Sequence, residues 1–461
     1  MRSKATHAQC QVTISDCEKV DMSCVPVLAI LGSTGCGKSR LAIELACKFF
    51  GEIISADSMQ VYKGLDIVTA KVTKEEKAKA PHHMLDIVDP LNSSYTVVQF
   101  RNEAISIIND LLARRKLPII VGGTNYYIES ILWEVLMDDS RIGKDDDDPL
   151  GEDVSRTKRM KIELDRSMTK DNQELYEELV KVDPEMAKRF HPNNRRKIIR
   201  SLEVFEQYGV KHSELLKAQR IAGGSGLGGP LRHRNAIILW INCDMKVLED
   251  RLERRVDDMV ETGLVQELLD FHRRYNKQRI KSNTSVDYTK GIFQSIGFKE
   301  FHDYLVLPEE EKRGKKGQEL LQRGIDDLKM VTKRYAKKQI KWVMNRLLRR
   351  SDRQVPPIYA LDSTDVNQWD SCVYEPAVAI IEAVLRGEKP EQKPLNESVK
   401  NKKFSDSSNE ERHFCDICDR IFIGEFQWNI HLKSTKHKKI EIRKKKLEAQ
   451  KQVKNITENK V

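Results

Sequence analysis

Eight residues, Gly32-Ser33-Thr34-Gly35-Cys36-Gly37-Lys38-Ser39, constrain this chain more than any other stretch. Four residues separate the first glycine from a Gly-Lys-Ser triplet. An apolar run ending at Leu31 precedes them, and a stretch of helical periodicity, Lys38–Phe49, follows. Glycines let backbone N–H groups wrap around oxygen atoms, and the following helix aims its positive end at the same point. The lysine adds a point charge, and the serine hydroxyl can ligate Mg²⁺. The loop therefore predicts binding of a di- or triphosphate, with Ser39 as the Mg²⁺ ligand. Cys36 reads as a small loop filler rather than a nucleophile.

The surrounding pattern fits that loop. Pro26–Leu31 reads as a buried strand, Glu52–Ser55 as a second and Pro118–Val121 as a third, with a helix expected over Thr96–Arg115. Short apolar runs alternating with helices predict an α/β fold, a parallel sheet flanked by helices. Residues 141–229 break the rhythm with the acidic run Asp145–Asp148, charged helices and the glycine-rich Ala222–Pro230. They read as a helical insertion. The sheet pattern resumes at Asn235–Ile241, and one long helix is expected from Met245 to about Arg273. The expected organisation is an unstructured segment 1–24, a catalytic core 25–140 resuming at 230–350, and an irregular segment and linker 351–410. A small unit 411–440 and a basic tail 441–461 complete it.

Composition excludes several classes. No apolar run approaches the ~20 residues of a membrane span, and nine cysteines in 461 residues are too sparse for a disulfide scaffold. Residues 1–24 lack an apolar stretch, so no secretory leader is expected. The chain carries a net charge of +10, and residues 438–461 hold nine Lys/Arg against three Glu. Such a tail points to phosphate-backbone contact. Just before it, Cys415 and Cys418 are followed after twelve residues by His431 and after five more by His437. That is the spacing of a closed, structural Zn²⁺ site, with Phe422 and Trp428 placed for a miniature core.

The phosphate loop alone does not name a reaction. Asp57 lies just beyond the second strand, at the ligand edge of an open α/β sheet, where it can be a helix cap, a group near Mg²⁺ or a general base. A set of ordered motifs then carries a resemblance. Asp57-Ser-Met-Gln-Val-Tyr62, Gly64-Leu-Asp-Ile-Val-Thr-Ala-Lys71 and His82-His-Met-Leu-Asp-Ile-Val-Asp-Pro90 follow the loop. Val121-Gly-Gly-Thr-Asn-Tyr-Tyr-Ile128, Arg200-Ser-Leu-Glu-Val204, Arg255-Val-Asp-Asp-Met259 and Ser295-Ile-Gly-Phe-Lys-Glu300 come after. The chain resembles the tRNA dimethylallyltransferases, or tRNA isopentenyltransferases, from about Val25 to Trp342. Its zinc-binding unit is similar to matrin- and U1-type fingers, which eukaryotic members of that family carry.

The resemblance implies a P-loop NTPase-like core and transfer of a dimethylallyl group from its diphosphate to N6 of adenosine 37 in the tRNA anticodon loop. Asp57 matches the family's general base, with Thr34 near the reacting centre. Arg255 is the expected diphosphate-clamping arginine, and Arg251, one turn earlier, is the second choice. Ser58, Met59, Gln60 and Thr124, with Asp57, would grip the tRNA together with Arg195, Arg196, Lys197 and Arg200. Lys299 and the basic helix containing Lys333 and Arg334 would add contacts. Many members carry Gln-Arg where this chain has Arg196-Lys197, so phosphate contact replaces a base-edge contact there. Paired His82-His83, without a spaced Cys or His partner, reads as structural or close to substrate. The resemblance also implies a monomer, in the cytoplasm, with mitochondrial and nuclear pools in eukaryotes. Competing readings are an enzyme alkylating free adenine nucleotides, a nucleotide kinase, and an RNA-binding protein with a decayed core. The insertion, basic helix and finger argue against the first two, and intact Lys38, Ser39 and Asp57 against the third.

Overall fold

The computed structural model describes residues 25–92, 94–134, 170–225, 228–281, 288, 291–350, 353–397 and 411–458. The expected unstructured segment 1–24, the run Asp145–Asp148 and linker residues 398–410 lie outside these. The chain divides into two compact units. One comprises residues 1–134 and 231–402, the other residues 135–230 and 403–461.

The first unit is built on six strands: β1 (Leu28–Gly32), β2 (Glu52–Ser55), β3 (His82–His83), β4 (Pro118–Val121), β5 (Ile237–Asn242) and β6 (Ile358–Asp362). They pair in the order β3-β2-β4-β1-β5-β6, every pair parallel. The inner strands are mainly apolar, with Glu52, Ser55 and Asn242 only at strand ends, because helices cover both faces of a parallel sheet. The helices of this unit include α1 (Lys38–Phe49), α2 (Lys74–Lys79), α3 (Val97–Ala113), α4 (Asn125–Leu132), α5 (Met245–Glu261), α6 (Leu264–Lys281), α7 (Lys315–Val343) and α8 (Glu375–Leu385). After β1 the chain runs to β2 on one side, and it later returns as β5 on the other. That topological switch opens a crevice at the carboxyl ends of β1, β2 and β4.

Two expectations are corrected. The single helix from Met245 to Arg273 is two, α5 and α6, separated at Thr262-Gly263. Segment 351–410 is not irregular throughout, because β6 extends the sheet and α8 packs behind it. Pro356-Pro357 stand just before β6, where a proline at a strand's start loses only a donor. Its carbonyl remains an acceptor, and the Ile238 N–H donates to Pro357 O at 3.0 Å.

In the second unit, helices Asn172–Val182, Arg195–Tyr208 and His212–Ile221 surround Leu175, Leu179, Met186, Phe190, Ile198 and Leu202. Buried Asp183 ties them together, accepting the Met186 N–H at 3.0 Å and the Ser213 N–H at 2.8 Å. An antiparallel hairpin, β7 (Arg412–Cys415) and β8 (Arg420–Ile423), precedes helices Glu425–Lys433 and Thr435–Glu458. His191 bridges the two parts of this unit, 3.1 Å from the Asp419 carboxylate and stacked parallel to Phe414. No helix among the described residues is long and apolar enough to cross a membrane.

Candidate active site

The phosphate loop turns out of β1 into α1 through Gly37, at φ +92°, where a side chain would strike the Trp369 ring at 2.6 Å. Trp369 belongs to the segment read as irregular. It braces the loop, donating its indole N–H to Glu44 at 2.8 Å and lying 4.4 Å beneath the Arg40 guanidinium.

Beyond the loop lies a cavity of about 340 Å³ lined by Thr34, Lys38, Ser39, Asp57, Arg255 and Gln339, among others. Lys38 donates to the Ser33 carbonyl at 2.7 Å, and Cys36 is buried as a filler. Burial pushes the Lys38 ammonium below its usual range, and nearby Arg255 adds to that while Cys36 and Asp57 oppose it. Burial likewise lowers Arg255, opposed by Asp57. Arg255 makes no hydrogen bond among the described residues. Two crowded cations without an ion-pair partner among the described residues describe an anion site. Arg251 differs. Its guanidinium donates to the Ser363 and Thr364 carbonyls, both at 2.8 Å, and it does not line the cavity.

Asp57 lines the same cavity, with each carboxylate oxygen held by one backbone donor. Oδ1 accepts the Met59 N–H at 3.0 Å and Oδ2 the Gly123 N–H at 3.2 Å. A Cβ on Gly123 would stand 2.6 Å from Oδ2, which is why glycine follows β4 here. Thr124 hydrogen-bonds Ser58 twice, to its N–H and hydroxyl, each at 3.0 Å. Gln60 lines the cavity, but its side-chain NH₂ donates to the Thr69 and Ala70 carbonyls at 3.1 and 3.2 Å. Its Oε1 accepts the Ser55 hydroxyl at 3.0 Å, so both ends of the amide are used inside the protein. His82 lines the cavity and His83 lies 2.7 Å from Glu52.

Other expected residues lie elsewhere. Lys333 is ion-paired with Glu253, flanked by Lys329–Asp257 and Lys337–Glu249 at 2.6 Å each. The basic character of α7 on that face is neutralised by an acidic ladder on α5. Arg334 remains exposed, as does Lys299. In the second unit, Arg195 donates to the Asn172 side chain and the Lys170 carbonyl, and Arg200 pairs with Glu203. Arg196 and Lys197 are exposed.

Sequence reasoning missed Tyr335 and Gln339. Both donate to the Gly123 carbonyl at 2.8 Å, and Gln339 also accepts the Thr34 N–H at 2.8 Å. Burial raises the Tyr335 hydroxyl well above its usual range, so it stays a donor. The available signal was their four-residue spacing as uncharged polar residues inside a cationic helix.

A family model described as IPP transferase matches residues 60–346. The chain belongs to the IPP transferase family. The tRNA dimethylallyltransferase of Mus musculus is 50% identical over 90% of this chain and 85% of its own length. That of Homo sapiens is 48% identical, with the same coverage. A solved eukaryotic dimethylallyltransferase acting on tRNA matches with a TM-score of 0.68 and 31% identity, over 93% of this chain and 99% of that one.

A second model, described as a zinc-finger double-stranded RNA-binding family, matches residues 412–438. There the ligand atoms of Cys415, Cys418, His431 and His437 lie within 4.8 Å of one another. His437 Nδ1 is 3.6 and 3.5 Å from the two sulfurs. Nε2 of buried His431 has no hydrogen-bond partner among the described residues, which fits a donor set built for a metal ion.

Proposed function

We infer that this IPP transferase moves the dimethylallyl group of dimethylallyl diphosphate onto N6 of adenosine 37 in the anticodon loop of tRNA, releasing diphosphate. The observation that carries the reading is one cavity joining a phosphate loop and two cations that have no ion-pair partner among the described residues to a carboxylate with free lone pairs. The loop amides, Lys38 and Arg255 take up charge as the allylic C–O bond breaks, which is where electrostatic stabilisation lowers a barrier most. The N6 amine attacks the allylic carbon and gives its proton to Asp57. A stacked adenine cannot enter such a cavity, so the base is extruded from the loop.

Ser39 fits a Mg²⁺ ion, since its exposed hydroxyl lines the cavity beside Lys38 and makes no hydrogen bond among the described residues. Mg²⁺ there would offset diphosphate charge. Cys415, Cys418, His431 and His437 would hold Zn²⁺ and so hold the finger's shape. Arg196 and Lys197 stand with Arg195 in a helix's first turn, where cations oppose the helix dipole. Contact with RNA phosphate accounts for their presence, and the finger with its basic tail adds salt-sensitive affinity. The chain acts as a monomer.

The test is transfer from labelled dimethylallyl diphosphate, with Mg²⁺, to unmodified tRNA bearing adenosines at positions 36 to 38, and separately to AMP, ADP and ATP. Label in tRNA at adenosine 37 is expected. Asp57→Ala should lose about 10²–10⁴-fold in kcat, the usual contribution of a general base, with diphosphate affinity retained. Label in a free nucleotide alone would overturn the substrate.

A further inference from the structure

Resting on that transferase reading, we propose that Gln339, with Tyr335, is a positioning residue that holds Asp57 in register with the phosphate loop. Gln339 is almost fully buried, yet both polar atoms of its amide are used. Its Oε1 accepts the Thr34 N–H and its Nε2 donates to the Gly123 carbonyl, each at 2.8 Å. A backbone N–H only donates and a carbonyl only accepts, so the amide has a single satisfied orientation. Tyr335 fills the second lone pair of the same carbonyl at 2.8 Å. The N–H of that glycine then binds Asp57 Oδ2 at 3.2 Å. One continuous hydrogen-bonded path therefore runs from Thr34 through Gln339 and Gly123 to Asp57.

The two ends of this path hold the two reactants. The loop fixes the leaving diphosphate, and Asp57 fixes the amine that displaces it. Reaction needs the amine nitrogen and the allylic carbon about 3–3.5 Å apart and aligned, and a misplacement of about 1 Å can cost 10²-fold. The strands beneath set the coarse spacing of the ends of β1, β2 and β4. Gln339 sets the fine spacing, because it bridges the loops that follow β1 and β4 directly. Its helix makes a firm support. The face carrying Lys329, Lys333 and Lys337 is paired to α5, while Leu328, Ala336 and Val343 are buried.

The experiment compares full-length Gln339→Leu, Gln339→Glu, Tyr335→Phe and the Gln339→Glu/Tyr335→Phe pair with the parent, by single-turnover transfer to tRNA. Inorganic pyrophosphate binding and Tm are measured on each. Gln339→Leu should lose about 10–100-fold in the transfer rate while keeping pyrophosphate affinity and KM for tRNA. Gln339→Glu is nearly isosteric and keeps an acceptor for Thr34 but sets a carboxylate against the Gly123 carbonyl in place of a donor, so it should lose rate as Gln339→Leu does, and its Tm reads the separate cost of the buried charge. Because Gln339 and Tyr335 act through one carbonyl, the pair should lose less than the product of the single losses. Near-parental rates in folded Gln339→Leu and Gln339→Glu would overturn the proposal. So would a rate loss matched by loss of pyrophosphate affinity, which would make Gln339 only a brace of the phosphate loop. Asp57→Ala in the same series separates the two ideas. An active Asp57→Ala refutes the general-base reading, whereas an inactive one beside full-rate Gln339 variants refutes only the positioning role.

Discussion

The cations of the cavity and those of the helical ladder are chemically alike and stand in opposite circumstances. Lys38 and Arg255 are crowded by protein, have no ion-pair partner among the described residues, and have their proton affinity lowered by burial. Lys333 lies on α7 against Glu253, and that hydrogen-bonded carboxylate raises its proton affinity. Lys329 and Lys337 are paired in the same way. A sequence shows only that all five are basic. The difference lies in whether the fold supplies the counter-charge. Where it does, the pair is structural, and where it withholds it from a desolvated cation, the missing anion is the ligand.

Removing one cavity cation should therefore cost far more than removing one of the ladder. Arg255→Ala should lower kcat by about 10²–10³-fold, the scale of a lost electrostatic stabiliser. Arg251→Ala, one turn away, should keep kcat and lower Tm instead, because its guanidinium is spent on the Ser363 and Thr364 carbonyls. Steady-state kinetics and a thermal melt on both variants check the contrast. Equal kinetic losses would erase the distinction.

Lys38 sharpens the comparison through pH. Burial depresses its pKa in the free protein, and a bound diphosphate must raise it by supplying opposite charge. Diphosphate affinity should thus be full while Lys38 is protonated and weaken as pH rises through the depressed value. Binding titrations of inorganic pyrophosphate from pH 7 to 10 would show it, with proton uptake on binding at the alkaline end. Lys38→Ala should flatten that part of the profile. The finger offers a milder intervention. Chelation of its metal should unfold the Trp428–His413 and Phe422–His431 stacks and weaken tRNA binding, while diphosphate binding in the sheet unit is unchanged. Tryptophan fluorescence and the two binding assays read these separately.

Legibility in the sequence followed how local each determinant is. Lys38–Phe49, Glu52–Ser55 and Pro118–Val121 matched the observed elements at both ends, since periodicity and flanking glycines are written in adjacent residues. The four metal-ligand positions were legible for the same reason. Asp57 was placed at the sheet edge by strand logic, and its base role came from the family resemblance. Gln339, Tyr335 and Trp369 escaped because their partners are hundreds of residues away in the chain. Gln339 meets Thr34 across 305 positions, a pairing that only the assembled sheet creates. Strand β6 escaped because two prolines precede it. The ladder escaped because net charge on one helix says nothing of the helix beside it.

The smallest effect belongs to α7 itself. Lys333→Ala removes a partly exposed ion pair, so stability should change by only about 0–1 kcal/mol and tRNA affinity hardly at all. Arg334 and Lys338, one position on, are exposed and lack an ion-pair partner among the described residues. If RNA phosphate covers that outward face, Arg334→Ala and Lys338→Ala should each reduce the slope of log affinity against log salt by about one. Filter binding of tRNA at several salt concentrations compares the three variants side by side. A slope change in Lys333→Ala equal to that in Arg334→Ala would mean that the ladder opens on binding. An unchanged slope in both Arg334→Ala and Lys338→Ala would mean that α7 serves the cavity alone, through Tyr335 and Gln339.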